Sequence, residues 1–136
     1  MDACCICKEM RALQNEQKLL SEFGKNCRYI VGSKQLDTIP FMLITAEGFE
    51  PFTAILHNTT TPFFRLESIE NDSCCAQLTL LKAVDMMGRP SISANDLYSL
   101  EKTDRCIHLK LCCFIAINPM PANLVSKPLP TIEMKV

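Results

Sequence analysis

The sequence contains no tryptophan, and aromatic residues make up only 7% of it. Because 48% of the chain is nevertheless hydrophobic, leucine, isoleucine, methionine and cysteine must fill the interior. A dominant charge is also missing. Fourteen Lys+Arg face fifteen Asp+Glu, each half is balanced, and no basic run stands out. That balance argues against a nucleic-acid partner and against a polybasic membrane contact. No stretch approaches the roughly 18 uncharged residues of a transmembrane helix. The first residues, Met-Asp-Ala-Cys-Cys-Ile-Cys-Lys-Glu, have no charged n-region leading into an apolar run, so no secretory signal is expected. Chemical machinery is sparse as well. There is no Ser/His/Asp arrangement, no Gly-rich phosphate loop and no paired-carboxylate constellation, and His57 and His108 stand alone as ordinary strand residues. The expectation is a protein made in a cytosol, without cofactor or metal and without catalytic activity.

Cysteine is what the chain has in excess, nine in 136 residues. Thiols stay reduced in most cytosols, where cysteine-rich sequences more often bind metal or do redox chemistry. An odd count also means that complete pairing within one chain is impossible. Cys4 and Cys7 form a single C-x-x-C, with Cys5 between them. Zinc takes about four ligands, usually from two such pairs or from one pair and spaced histidines. The second pair is missing, although Cys27 and later thiols could complete a site. Thioredoxin-like chemistry requires C-x-x-C opening a helix inside a parallel βαβ unit, and that strand pattern is absent. A zinc-stabilised binding module using the N-terminal cysteines is the alternative function.

Hydrophobic spacing organises the rest. Over residues 8–23, Met10, Leu13, Leu20 and Phe23 recur at helical intervals, with Gln17 interrupting the stripe and Gly24 offering a stop. Residues 26–37 read as a polar linker carrying Cys27. Strand-like runs follow at 39–45, 52–57, 63–69 and 74–84, the first two as a hairpin around Glu47 and Gly48. Residues 58–62 read as a Thr-rich loop, and 87–100 as a long connection with a short helical turn from Asn95. The longest alternation lies at 106–117. Ile107, Leu109, Leu111, Cys113, Ile115 and Ile117 share one face; Cys106, His108, Lys110 and Cys112 share the other. This predicts one long half-buried strand with Cys113 buried and Cys106 and Cys112 facing outward. The adjacent pairs Cys74 and Cys75, and Cys112 and Cys113, would each offer one thiol inward and one outward. Prolines at 119, 121, 128 and 130 exclude a central strand beyond that point. The expected fold is mainly β: an N-terminal Cys-containing helical segment (1–25), a β-rich core (38–118) forming an antiparallel sandwich or partly open barrel, and a Pro-rich tail (119–136), extended or disordered.

Several stretches, taken in order, resemble the spore coat protein family of the CotY and CotZ type, which builds outer layers of bacterial endospores. They are Cys-Lys-Glu-Met-Arg-Ala-Leu at 7–13, Thr-Ile-Pro-Phe-Met-Leu-Ile-Thr at 38–45, Phe-Phe-Arg-Leu-Glu-Ser-Ile at 63–69, Ser-Cys-Cys-Ala-Gln-Leu-Thr-Leu-Leu at 73–81, Leu-Glu-Lys-Thr-Asp-Arg-Cys-Ile-His-Leu at 100–109 and Cys-Phe-Ile-Ala-Ile-Asn at 113–118. The resemblance carries over Cys7, Cys27, Cys75, Cys106 and Cys113, marks Cys74 and Cys112 as additions, and stops near Val125. Family cysteines are missing at Ile115, at Pro119 and near Cys27. The resemblance implies a structural protein that self-assembles into two-dimensional arrays, cross-linked by disulfides between subunits and bound to other coat proteins. It would be made in the mother-cell cytoplasm and deposited on the spore coat or exosporium. The candidate cross-linking residues are Cys4, Cys5, Cys7, Cys27, Cys74, Cys75, Cys106 and Cys112, with Cys113 assigned to the core.

Overall fold

The structure, a computed structural model, describes residues 5–26, 36–70, 72–91 and 94–128. A helix, α1 (Cys5–Asn26), precedes seven strands among these residues: β1 (Phe41–Thr45), β2 (Ala54–Leu56), β3 (Thr59–Thr61), β4 (Phe64–Ile69), β5 (Cys75–Val84), β6 (Ser99–Lys110) and β7 (Phe114–Pro119). The fold is mainly β with one N-terminal helix and antiparallel sheets, as the sequence predicts, and it is not a closed barrel. None of the described helices is long and apolar enough to cross a membrane.

Five strands form one sheet in the order β6-β5-β4-β1-β7, and β2 and β3 form a separate ribbon. The edge strands β6 and β7 are consecutive in sequence, joined only by a 3₁₀ turn at Leu111–Cys113. A five-stranded sheet can meet that constraint only by twisting and curling until its two edges approach each other at this end. The β2–β3 ribbon corrects the loop reading of 58–62, since Thr59–Thr61 is a strand paired with Ala54–Leu56. β-branched threonines suit an extended backbone. The two-residue turn between them places His57 at φ 56, the left-handed region that such hairpins need. The expected hairpin of 39–45 with 52–57 shrinks to the Ile44–Pro51 bridge, with the Phe52 N–H donating to the Leu43 carbonyl at 2.7 Å and the Thr45 N–H to the Glu50 carbonyl at 2.9 Å.

Helix α1 lays Ile6, Cys7, Met10 and Leu13 against Phe41, Leu43, Phe64, Leu66, Leu78 and Leu80. The interval pattern is that of one helical stripe. Fully burying each large apolar side chain contributes about 1.5–3 kcal/mol, and Met10, Phe41, Leu43, Phe64 and Leu78 are inaccessible to solvent. Gln17 belongs to the buried stripe rather than breaking it. Its Nε2 donates to the Leu66 carbonyl at 3.0 Å, and its Oε1 accepts from the Ile39 N–H at 3.0 Å. The helix continues through Gly24, the expected stop, to Asn26, which a helical glycine permits for about 1 kcal/mol.

A second buried cluster gathers Phe63, Leu81, Leu100 and Val125. Val125 bridges Leu100 in parallel, and the Ser126 N–H donates to the Leu100 carbonyl at 2.8 Å. The Pro-containing segment as far as Val125 is thus docked on the start of β6, not lying free, because Val125 supplies apolar area that β6 buries. Residues 129–136 lie outside the described residues.

The continuous strand expected at 106–117 is broken. Alternation holds up to Leu111: Ile107 and Leu109 are half-buried, Leu111 is fully buried, and Cys106, His108 and Lys110 are exposed. The 3₁₀ turn then replaces a period of two by a period near three. Cys112 and Cys113 both emerge exposed, and Ile115 is 47% exposed. The expectation that Cys113 is buried is therefore incorrect. The chain must step from one sheet edge to the other, and the turn that does so resets which side each residue faces.

Candidate functional site

Three cysteine sulfurs converge where the first turn of α1 meets the start of β5 and the β6–β7 turn. Cys7, 5% exposed within the main core, forms a disulfide with Cys74, 8% exposed, with Cα atoms 5.8 Å apart. This separation falls within the ordinary disulfide range. Cys74 follows the turn at Asp72 and Ser73, with φ 56, a conformation uncommon for a residue with a side chain. Its carbonyl accepts the Leu111 N–H at 2.9 Å, which fastens the β6–β7 turn to the disulfide. The next residue is Cys112. Its sulfur and those of Cys7 and Cys74 all lie within 4.8 Å of one another. Cys112 is exposed whereas its two neighbours are buried, so the cluster runs from core to surface.

Of the eight candidate cross-linking cysteines, Cys7 and Cys74 are bonded to each other and buried, so in this state neither sulfur can reach a second subunit. The pairing follows from the packing of α1 over the end of β5. Cys75 is half-buried and free, its Sγ donating to the Ser73 carbonyl at 3.8 Å. Cys74 is the more buried of the adjacent pair, but it precedes β5 with φ 56, so strand alternation is not what separates the two; at Cys112 and Cys113 both residues are exposed. Cys106 is exposed, 3.7 Å from the Thr79 hydroxyl, and Cys113 is exposed. Cys5 opens α1; Cys4 and Cys27 lie outside the described residues. The sequence marked Cys74 and Cys112 as additions to the family pattern, and those two complete the cluster with Cys7. No local spacing signals a meeting of residues separated by 67 positions.

A polar network missed at the level of sequence crosses the sheet beside Cys106. Arg65 Nη1 lies 2.6 Å from Glu67, Arg65 Nε donates to Thr38 Oγ1 at 2.8 Å, and the Thr38 hydroxyl donates to Asp37 at 2.9 Å. Lys102 closes the chain with a 2.6 Å ion pair to Asp37, and Thr79 donates a short hydrogen bond to Glu67. Burial works against ionising Asp37, but hydrogen bonds from Lys102 and Thr38 and the charges of Lys102 and Arg65 outweigh it, holding the carboxyl below its ordinary range. Burial likewise opposes ionised Glu67, and the bonds from Arg65 and Thr79 together with the Arg65 and Lys102 charges prevail. Both carboxylates are engaged by cations, the arrangement of a structural network rather than of an acid–base pair. The alternation that puts Arg65 and Glu67 on one face was the available signal.

With the disulfide reduced, Cys7, Cys74 and Cys112 would present three thiolates, a donor set suited to zinc or another soft cation. The bond between two of them withdraws that capacity in the oxidised state.

Among known proteins, residues 2–122 match the family model described as Spore coat protein Z. Spore coat protein Z of Bacillus subtilis (strain 168) is 30% identical over 138 residues, covering 85% of this chain and 90% of that protein. No solved structure matches at a significant level.

Proposed function

The chain belongs to the spore coat protein Z family, and on that premise we propose that it is a structural subunit of the coat that assembles with copies of itself and is then stitched by disulfides. The observation that carries this reading is the placement of Cys106, Cys112 and Cys113 on the surface, all within one edge strand and the turn that ends it. Edge strands present unpaired backbone groups that another chain can meet. Apolar side chains are exposed as well, with Phe49 75% and Ile55 79% accessible and Met86 and Met87 beside them in exposure. Such side chains reward contact with a second copy or with other coat proteins.

Synthesis in the reducing mother-cell cytoplasm would keep the outward thiols reduced until the protein is laid on the coat or exosporium, where oxidation can follow cell lysis. The role is structural and requires no catalytic centre. Electron microscopy of the purified protein, with and without reductant, tests the proposal. Ordered sheets support it; monomers under both conditions would sink it. The alternative, a zinc-stabilised module, is favoured by the grouping of Cys7 with two further sulfurs. It requires stoichiometric zinc in protein purified under reductant without chelator.

A further inference from the structure

We propose that Cys7, Cys74 and Cys112 form an internal thiol–disulfide exchange site, in which Cys112 draws the buried bond to the surface and passes it to a cysteine of a second copy of this chain. Three observations carry it. The sulfur of Cys112 lies within 4.8 Å of both sulfurs of the disulfide, so a short approach brings it into contact with either. Cys7 and Cys74 are buried, out of reach of an incoming chain, whereas Cys112 is exposed. The turn that bears Cys112 is held at the disulfide by the Leu111 N–H on the Cys74 carbonyl and by the full burial of the Leu111 side chain.

The chemistry is balanced within the chain. Cys112 loses its proton to solvent, and its thiolate attacks the Cys74 sulfur. The Cys112–Cys74 bond forms, the Cys7–Cys74 bond breaks, and Cys7 leaves as a thiolate that takes up a proton. Attack on Cys7 is the equivalent step with Cys74 leaving. No oxidant is consumed. In the second step a thiolate of another copy attacks the sulfur of Cys112, forming the bond between subunits and releasing Cys74, which is protonated in turn. One disulfide inside a subunit becomes one disulfide between subunits. Only this second step rests on the cross-linking function proposed above.

The test uses the full oxidised chain, kept without oxygen at pH 8, alkylated and mapped by non-reducing peptide mass spectrometry. Wild type is expected to yield a Cys112-containing intrachain disulfide with Cys7 or Cys74 newly alkylated, and Cys112→Ser and Cys112→Ala to keep Cys7–Cys74 alone. Wild-type chains that also keep Cys7–Cys74 alone overturn the proposal. A second arm adds an isotope-labelled, fully reduced copy and follows mixed covalent dimers. Either Cys112 variant should form them about tenfold or more slowly, because attack must then wait for local opening of a buried bond, while Cys106→Ser should retain the Cys112-linked dimer. Equal rates with and without Cys112 would refute the handover. Isomerisation without any dimer counts against the cross-linking function and the handover together, and supports the exchange site itself.

Discussion

Gln17 contributes more to the fold than a polar residue in an apolar stripe suggests, because both ends of its amide satisfy backbone groups. Gln17→Ala should lower unfolding free energy by about 1–3 kcal/mol, the cost of leaving a buried donor or acceptor unpaired, as measured by urea denaturation in reductant. Cysteine substitutions should divide by environment. Cys113→Ser, on an exposed turn residue, should change stability by no more than about 0.5 kcal/mol. Cys74→Ser removes a cross-link spanning 67 positions, worth about 4 kcal/mol on the chain-entropy account. Unfolding of wild type with and without reductant should show a difference of similar size, and the double variant Cys74→Ser/Cys112→Ser, which leaves Cys7 without either nearby sulfur, should show almost none. A reductant-insensitive wild type would contradict the role given to this bond.

The Asp37–Lys102 pair, which ties the segment before β1 to β6, and the Arg65–Glu67 pair within β4 share a dependence on pH. Both carboxyls are held below their ordinary values of 3.8 and 4.5 in the folded chain. The unfolded chain therefore binds protons first as the medium is acidified. Their stabilisation is fully present above those ordinary values and is lost as pH falls through the depressed folded ones. Both groups are substantially solvated, so the effect is modest. Denaturant unfolding repeated from pH 7 down to pH 2 should show the loss, and Glu67→Gln should flatten part of the acid limb. The turn at Leu111–Cys113 is more demanding. Leu111 is its one fully buried residue, and Leu111→Ala should cost about 2–5 kcal/mol through the cavity left behind.

For the whole molecule, assembly and cross-linking should separate. Surface contacts must bring thiols into bonding range before a disulfide can form. Reductant is therefore expected to abolish covalent multimers on denaturing gels while part of the assembly survives under native conditions. Size-exclusion chromatography of the same reduced sample gives the check. Conversion to monomer by reductant alone would mean that disulfides, and not surface fit, hold the assembly. Cys7 and Cys74 are bonded to each other and buried, whereas Cys75, Cys106, Cys112 and Cys113 lie nearer the solvent.

Local periodicity alone determined the mainly-β class, the single helix before it and the shared buried face of Phe64 and Leu66, since each depends on residues a few positions apart. The helical interval also placed Gln17 on the buried stripe, although its polarity made it look like an interruption. Tertiary structure alone decided the break at Leu111–Cys113. The alternation of 106–117 is continuous in the sequence, but β6 pairs with β5 and β7 with β1, on opposite edges of one sheet. A straight strand cannot occupy both edges, so the chain turns and Cys113 comes out to solvent. The Cys7–Cys74–Cys112 cluster arises in the same way. Its members come from a helix, a turn and a sheet corner, and only the packing of α1 against the curled sheet brings their sulfurs together.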